Sequence, residues 1–469
     1  MSSRSVSSLS PDQRPELRAL AEQVAAMAIE AGADAAEVIL GSGSELSVKV
    51  RKGQPELVHE AQSRGLGLRV FADHRAAVTF SSDFTEASLR KFTRDAVELS
   101  RLSEPSPYNE LPDRADLHPA AQPLPELDLW DEREQPLTAE FLIGLCREAE
   151  AAALDFSPKI AHGDGATCDR SAGYMAFACA DRQGLAFAGA SRGTGHSLAV
   201  EALCEDEGGK KRNAHYWTAG SFFSTLIEPA AVGREAARRA LRKLGAQKLK
   251  TAELPVVFDP DTARALVRSV AGVVSAGAIY RKSSYLVGRL ETQVASPLIT
   301  IVDDPLLPRA PGSRPFDGDG LPVRRNVVIE AGVLKTYLYD TYSARQLGCK
   351  SNGCAGRGVG GSPYVTTSNF ILQPGPDYPG DIVRGVEHGL YVTDMMGFGF
   401  NATTGDFSRG AAGFLIEKGE LTTPVSEVTI SANFDEILKR IDAVGSDLDR
   451  RSSTMAPTLR VSRMTIAGR

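Results

Sequence analysis

The chain has 469 residues, 42% of them hydrophobic, with 53 Lys and Arg against 59 Asp and Glu for a formal net charge of −6. That length and apolar share suffice for two or three ordinary cores of roughly 100–200 residues each. The mildly acidic balance excludes a broad phosphate-neutralising face, so no direct nucleic-acid partner is expected. Six cysteines, at 146, 168, 179, 204, 349 and 354, include no CxxC and read as reduced cytosolic thiols. The N-terminus carries no apolar core of signal-peptide length, and no apolar run approaches the roughly 20 residues of a bilayer span, so a cytoplasmic protein without a membrane part is expected.

After a tail at 1–14, a helix is predicted from about Asp12 to Ala31, with Leu17, Leu20, Ala21, Val24 and Ala28 on one face and Ser10 as its cap. Alternating segments follow at Ala36–Leu40, Leu46–Arg51, Glu56–Gln62, Gly65–Phe71 and Ala76–Ser81. A helix near Thr85–Leu102 completes an N-terminal helix–sheet–helix unit of α+β class, 15–104. Six prolines fall within Ser103–Leu127, and 105–127 is assigned as a proline-rich linker. A second α+β unit, 128–250, has a helix at Thr138–Leu154 and strands near Ile160–Asp169, Ser171–Ala180, Leu185–Gly189 and His196–Cys204. The run Gly209-Lys210-Lys211-Arg212 reads as a hairpin loop compensated by Glu205-Asp206-Glu207. A basic helix, Pro229–Leu244, closes the unit, and its Arg234, Arg238, Arg239, Arg242 and Lys243 read as a solvated face or else a partner surface.

From 251 to 469 the pattern is β-rich. Val328–Leu334 and Leu415–Leu421 echo one another as hairpins turning at glycine, one turn chemistry used twice. Asp317-Gly318-Asp319-Gly320 lacks the spaced ligands and terminal glutamate of a calcium loop and reads as a turn. Gly356-Arg357-Gly358-Val359-Gly360-Gly361 is followed by no GK[ST] and reads as a flexible loop that lets backbone approach a peptide or partner. The stretch Val392–Ser431 is a strand, a glycine-rich bend, the polar turn Asn401–Asp406 and a hairpin cornering at Lys418-Gly419.

With Gly332–Gly348, Ala276–Ser284 and Asp435–Leu448, that stretch resembles the TldD/PmbA family in its PmbA, or TldE, branch, over about residue 15 to the C-terminus. The resemblance implies the family's β-rich C-terminal domain. It also implies a division of labour: the TldD branch looks like a zinc metalloprotease with a HExxxH motif and a distal cysteine, and the TldE branch lacks those ligands and pairs with it as a heterodimer acting on peptides. Aligned on the YRKSS segment, the motif falls on Arg264–Val274, with the histidine positions at Arg268 and Val273 and the glutamate position at Ser269. A guanidinium repels a divalent ion, valine has no lone pair, and serine supplies no carboxylate base. Thr454-Met455 lies where the cysteine would be expected, and 445–469 holds neither Cys nor His.

No catalytic residue and no metal ligand are therefore expected in this chain, and zinc is expected in a TldD-like partner. The seven histidines are at least fifteen residues apart, and His59-Glu60 is followed by Ser63 and Arg64 where a second imidazole would be needed. The expected function is a TldE-like subunit of a cytoplasmic metallopeptidase complex that holds peptide or unfolded-segment substrates. The candidate substrate-binding residues are Gly360 and Gly361 in the glycine loop and Thr403, Asp406 and Arg409 in the turn. For Asp394, Asp406 and Arg409, structural ion pairs or turn hydrogen bonds are the favoured alternative. Two other readings stay open: a self-sufficient peptidase using a metal site of distant residues or a cysteine, Cys349 or Cys354 with His388; and a protein-binding regulator linked to gyrase or a toxin–antitoxin system. A homodimer is also possible.

Overall fold

The computed structural model describes residues 12–119, 122–132 and 137–468. The expected tail falls outside them up to residue 11, as does the Ser10 cap. Helix α1 (Arg14–Glu30) leads into strands β1 (Ala35–Arg51), β2 (Gln54–Ala72) and β3 (Arg75–Ser81) and helix α2 (Glu86–Ser100). Helix α3 (Ala139–Asp155), strands β4 (Ile160–Asp181), β5 (Gly184–Glu205) and β6 (Lys211–Gly220), and helix α4 (Pro229–Leu241) follow. All six strands form one antiparallel sheet in the order β3-β2-β1-β4-β5-β6. The two N-terminal units thus share a sheet, joined by pairing of β1 with β4 from Ala35↔Asp181 to Val50↔Ala166.

The strands are longer than the sequence suggests. Gly41-Ser42-Gly43-Ser44 has low β-propensity and reads as a break, yet each of these residues has a ladder partner on both sides, in β2 and in β4. Strand alternation then places Ala36, Val38 and Leu40 in a core beneath α1 and α2. Leu46, Val48 and Val50, in the same phase, lie in a second core beneath α3 and α4. Four helices therefore cover one face of the sheet, side by side along the strands.

The C-terminal part contains β7 (Ala252–Phe258), α5 (Pro260–Val273), α6 (Ala276–Tyr280), β8 (Ile301–Asp303), β9 (Asn326–Glu330), β10 (Val333–Leu334), α7 (Thr341–Gln346), β11 (Ala355–Gly356) and β12 (Tyr364–Val365). It continues through β13 (Phe370–Leu372), α8 (Pro379–Arg384), β14 (His388–Met396), β15 (Asp406–Glu417), β16 (Glu420–Asn433), α9 (Phe434–Lys439), β17 (Ile441–Val444), β18 (Thr454–Met455) and β19 (Leu459–Ala467). Strands β16-β15-β14-β7-β19 close into a ring because β16 also pairs with β19, and β17 adds to the outside of β19. A five-stranded sheet, β10-β9-β8-β13-β18, stands beside it. Helix α5 lies in the large core shared by the two, with Val267, Val270 and Val273 among its buried residues.

Four hairpins turn on two residues that both have positive φ: Lys52-Gly53, Asp73-His74, Ala331-Gly332 and Lys418-Gly419, three of them with glycine second. That geometry matches the right-handed twist of the flanking strands, and glycine adopts it without steric cost.

The helix-free face of the first sheet packs on the C-terminal part. Phe177, Cys179 and Phe187 are buried there with Phe316 and Leu321. The proline-rich segment runs across the same seam, burying Leu117 in this cluster, while Arg345 donates to the Glu110 and Leu111 carbonyls. Along another stretch of the seam, Val359 of the glycine loop lies on Gly41, Gly65 and Gly67. The basic helix joins the seam as well. Lys243 pairs with Asp394 at 2.8 Å, Arg239 with Asp261 at 3.3 Å, and Arg242 stacks on Phe414. Much of the expected solvated face of α4 is thus a contact with the C-terminal part, because these long side chains reach across from the helix end. Of the Lys210–Arg212 run, Arg212 pairs with Asp206 at 2.7 Å as expected, whereas Lys210 pairs with Glu427 of the C-terminal part at 3.1 Å and Lys211 already opens β6. No helix among the described residues is long and apolar enough to cross a membrane.

Candidate functional site

Helix α5 carries the positions at which the family resemblance places a metal motif. Its start is fixed by Asp259, whose Oδ1 accepts from the Thr262 amide at 2.8 Å and the Thr262 hydroxyl at 2.7 Å. Within the same first turn, Asp261, together with Asp449, meets Arg239, Arg264 and Arg451 in a partly buried ion-pair network. Arg451 and Arg264 also face the Trp217 ring, at 4.6 and 5.2 Å. This network ties the first sheet to α5 and accounts for its charges without a ligand.

The three motif positions diverge from there. Arg268 is exposed and has no carboxylate partner among the described residues. The Ser269 hydroxyl donates to the Ala265 carbonyl of its own helix at 3.1 Å. Val273 is fully buried in the core. These side chains do not fit a zinc ion: one is a cation, one hydroxyl is already engaged, and one is hydrocarbon. Strand β18, Thr454–Met455, packs against α5, and both of its residues are buried. Among the described residues no group of three or more His, Cys, Asp and Glu is placed to hold a metal ion. His59 and Glu60 lie on β2, where neighbours point to opposite faces.

Gly360 and Gly361 sit where the glycine loop leaves the first sheet, Gly360 against the Phe80 ring. In the second stretch, the Asn401 side chain accepts from the Thr403 and Thr404 amides. Thr404 donates to Asp406 at 2.6 Å, and Gly405, at φ +80°, lets the chain return. Thr403 is exposed. Arg409 is half-buried without a carboxylate partner among the described residues, and burial pushes its pKa down. Asp394 is held by Lys243 and by the Thr393 hydroxyl. The thiols of Cys349 and Cys354 are both pushed up by burial, away from a reactive thiolate.

Sequence reasoning missed a set of buried carboxyls. Burial raises Asp259 to about 7 and Asp303 to about 6, and raises the neighbouring Asp317 and Asp319 as well. A carboxyl whose folded pKa lies above its unfolded value contributes stability that is full below the unfolded pKa and is lost as pH rises through the folded one. The expected result is a lower urea midpoint at pH 8 than at pH 5. A midpoint that stays level or rises over that interval contradicts these burial assignments.

Models of the PmbA/TldA metallopeptidase family match in three parts: domain 1 at residues 36–100, the central domain at 132–244 and the C-terminal domain at 251–468. The metalloprotease PmbA of Escherichia coli O157:H7 is 32% identical over 96% of this chain and 97% of its own. The PmbA homologue of Haemophilus influenzae is 32% identical over 97% of each chain. A solved structure from Bacteroides thetaiotaomicron, described as a candidate modulator of DNA gyrase, superposes with a TM-score of 0.88 at 27% identity, covering 97% of this chain and 100% of the other. TldE of Thermococcus kodakarensis shares the fold, with a TM-score of 0.83 at 19% identity, covering 96% and 100%. With every part of its fold matched in this way, the chain belongs to the PmbA/TldD metalloprotease family.

Proposed function

We propose that this chain is a TldE-like subunit of a cytoplasmic two-chain metallopeptidase, one that holds peptide substrates while a TldD-like chain supplies zinc and the general base. The observation that carries this reading is the state of α5. Where hydrolysis needs imidazoles and a carboxylate, the helix offers an exposed guanidinium, a hydroxyl bonded to its own helix and a core valine. The TldE fold and the full-length similarity to PmbA proteins support the same branch. In this reading the chain supplies architecture and part of the substrate passage, with Gly360, Gly361, Thr403, Asp406 and Arg409 as candidate contacts.

The test is mixing with a TldD-like chain from the same source, followed by size-exclusion chromatography and a peptide-hydrolysis assay. Co-elution as one complex, with hydrolysis exceeding that of the TldD-like chain alone by tenfold or more, is expected. Independent elution with no gain in hydrolysis refutes the subunit reading.

A further inference from the structure

A cavity of about 410 Å³ opens at the seam between the first sheet and the C-terminal part. Glu37, Asp319 and Asp340 line it, and they are 1%, 3% and 4% exposed. Each carboxylate has one oxygen engaged by the protein. Glu37 Oε2 accepts from Arg357 at 2.6 Å and from Arg69 at 3.5 Å. Asp319 Oδ2 accepts from the Thr341 amide at 2.9 Å, and Asp340 Oδ1 accepts from the Ser343 amide at 2.7 Å. The second oxygens of Asp319 and Asp340 receive no donor from the described residues, and neither carboxylate has a cationic partner among them.

Leaving two buried carboxylates without a counter-charge is costly, and a cation with N–H donors would offset that cost. The walls define the kind of cation. Tyr342 has the rings of Tyr108 and Tyr280 beside it, edge-on, at 6.1 and 6.2 Å, and Tyr364 makes a fourth tyrosine in the lining; of the two arginines in the wall, Arg69 is paired with Glu37 and Arg281 lies over the Tyr280 ring at 5.2 Å. Aromatic faces attract alkylammonium groups and pack on their methylenes. The acidic groups do not converge as a metal site would require.

We propose that this cavity binds the primary ammonium group of a peptide, its α-amino terminus or a lysine side chain. Asp319 and Asp340 accept its N–H bonds, and Tyr108, Tyr280 and Tyr342 pack around it. Glu37, already paired with two arginines, anchors the wall. This assignment deepens the peptide-holding reading above and rests on it for the nature of the ligand.

The test is calorimetric titration of the full chain at pH 8 with three C-terminally amidated peptides: penta-alanine with a free amino terminus, N-acetylated penta-alanine, and the N-acetylated peptide with lysine in place of its central alanine. At least one ammonium-bearing peptide is expected to bind ten times more tightly than N-acetylated penta-alanine, and the tighter of the two names the source of the group. Asp319→Asn, which keeps the shape of the side chain, is expected to abolish that preference. Tyr342→Leu, at a half-buried ring, is expected to weaken it several-fold, and it carries the test if the first variant does not fold. Equal affinity for all three peptides, binding of none, or a preference unchanged in the folded variants overturns the assignment. The mixing assay reads the subunit role separately: a preference for ammonium without activation on mixing leaves this site standing and removes that role, and the reverse result does the opposite.

Discussion

Replacing Glu37 by alanine is expected to destabilise the protein by about 3–5 kcal/mol, the usual cost of removing one partner from a buried ion pair. Glu37 lies on β1 directly opposite Arg69 of β2, and its Oε2 holds Arg357 at 2.6 Å across the seam, with both side chains 1% exposed. The variant leaves the buried guanidiniums of Arg357 and Arg69 without the carboxylate that pairs them. Urea unfolding measures the loss. Glu37→Ala combined with Arg357→Ala is expected to recover part of it, because the second change removes the charge stranded by the first. A loss below about 1 kcal/mol for Glu37→Ala alone would mean that water from the adjoining cavity solvates the stranded guanidiniums and that the pair is worth no more than a surface one.

The second large effect is expected from Gly67→Ala. The backbone of Gly67 has ordinary strand geometry, so strain at φ plays no part. The difficulty is space, since an added Cβ would lie 1.6 Å from the Val359 carbonyl oxygen and 3.0 Å from Ile39. Backbone cannot yield as a flexible side chain does, so the glycine loop must lift from the sheet, at a cost of about 3 kcal/mol. Arg357 then leaves its buried pair. Trypsin is expected to cleave after Arg357 in the variant and to spare that bond in the native protein. Equal protection in both would show that the loop does not depend on this groove.

These two positions also show where the sequence was legible and where it was not. Period-two alternation identified strand segments, and glycine at the second corner residue located the hairpin at Lys418-Gly419, because both signals are local. The sharing of one sheet by the two N-terminal units was not legible. It depends on β1 meeting β4, with Ala35 opposite Asp181, and no local pattern encodes a pairing so distant. The glycine loop looked mobile because glycine permits mobility. Its seat is made by other glycines, Gly65 and Gly67, whose i, i+2 spacing leaves one face of β2 bare; that spacing is the signal that could have found it. The basic stripe of α4 was similarly ambiguous, since charge periodicity does not reveal that Asp394, Asp261 and Phe414 stand opposite. At α5 the chemistry of Arg268, Ser269 and Val273 was readable from residue type alone. The carboxylates Asp319 and Asp340 gave no sign in the sequence of sharing a cavity with four tyrosines.

In the function proposed above, the chain binds peptide without carrying the hydrolytic metal. The most direct test measures bound zinc and peptide hydrolysis on the purified chain by itself, with the same assays repeated after adding a TldD-like chain. Less than a tenth of an equivalent of zinc (~0.1 per chain), no hydrolysis alone, and both appearing with the partner is the predicted result. Stoichiometric zinc with hydrolysis by the isolated chain would contradict it, and would place a metal site at residues other than those of α5.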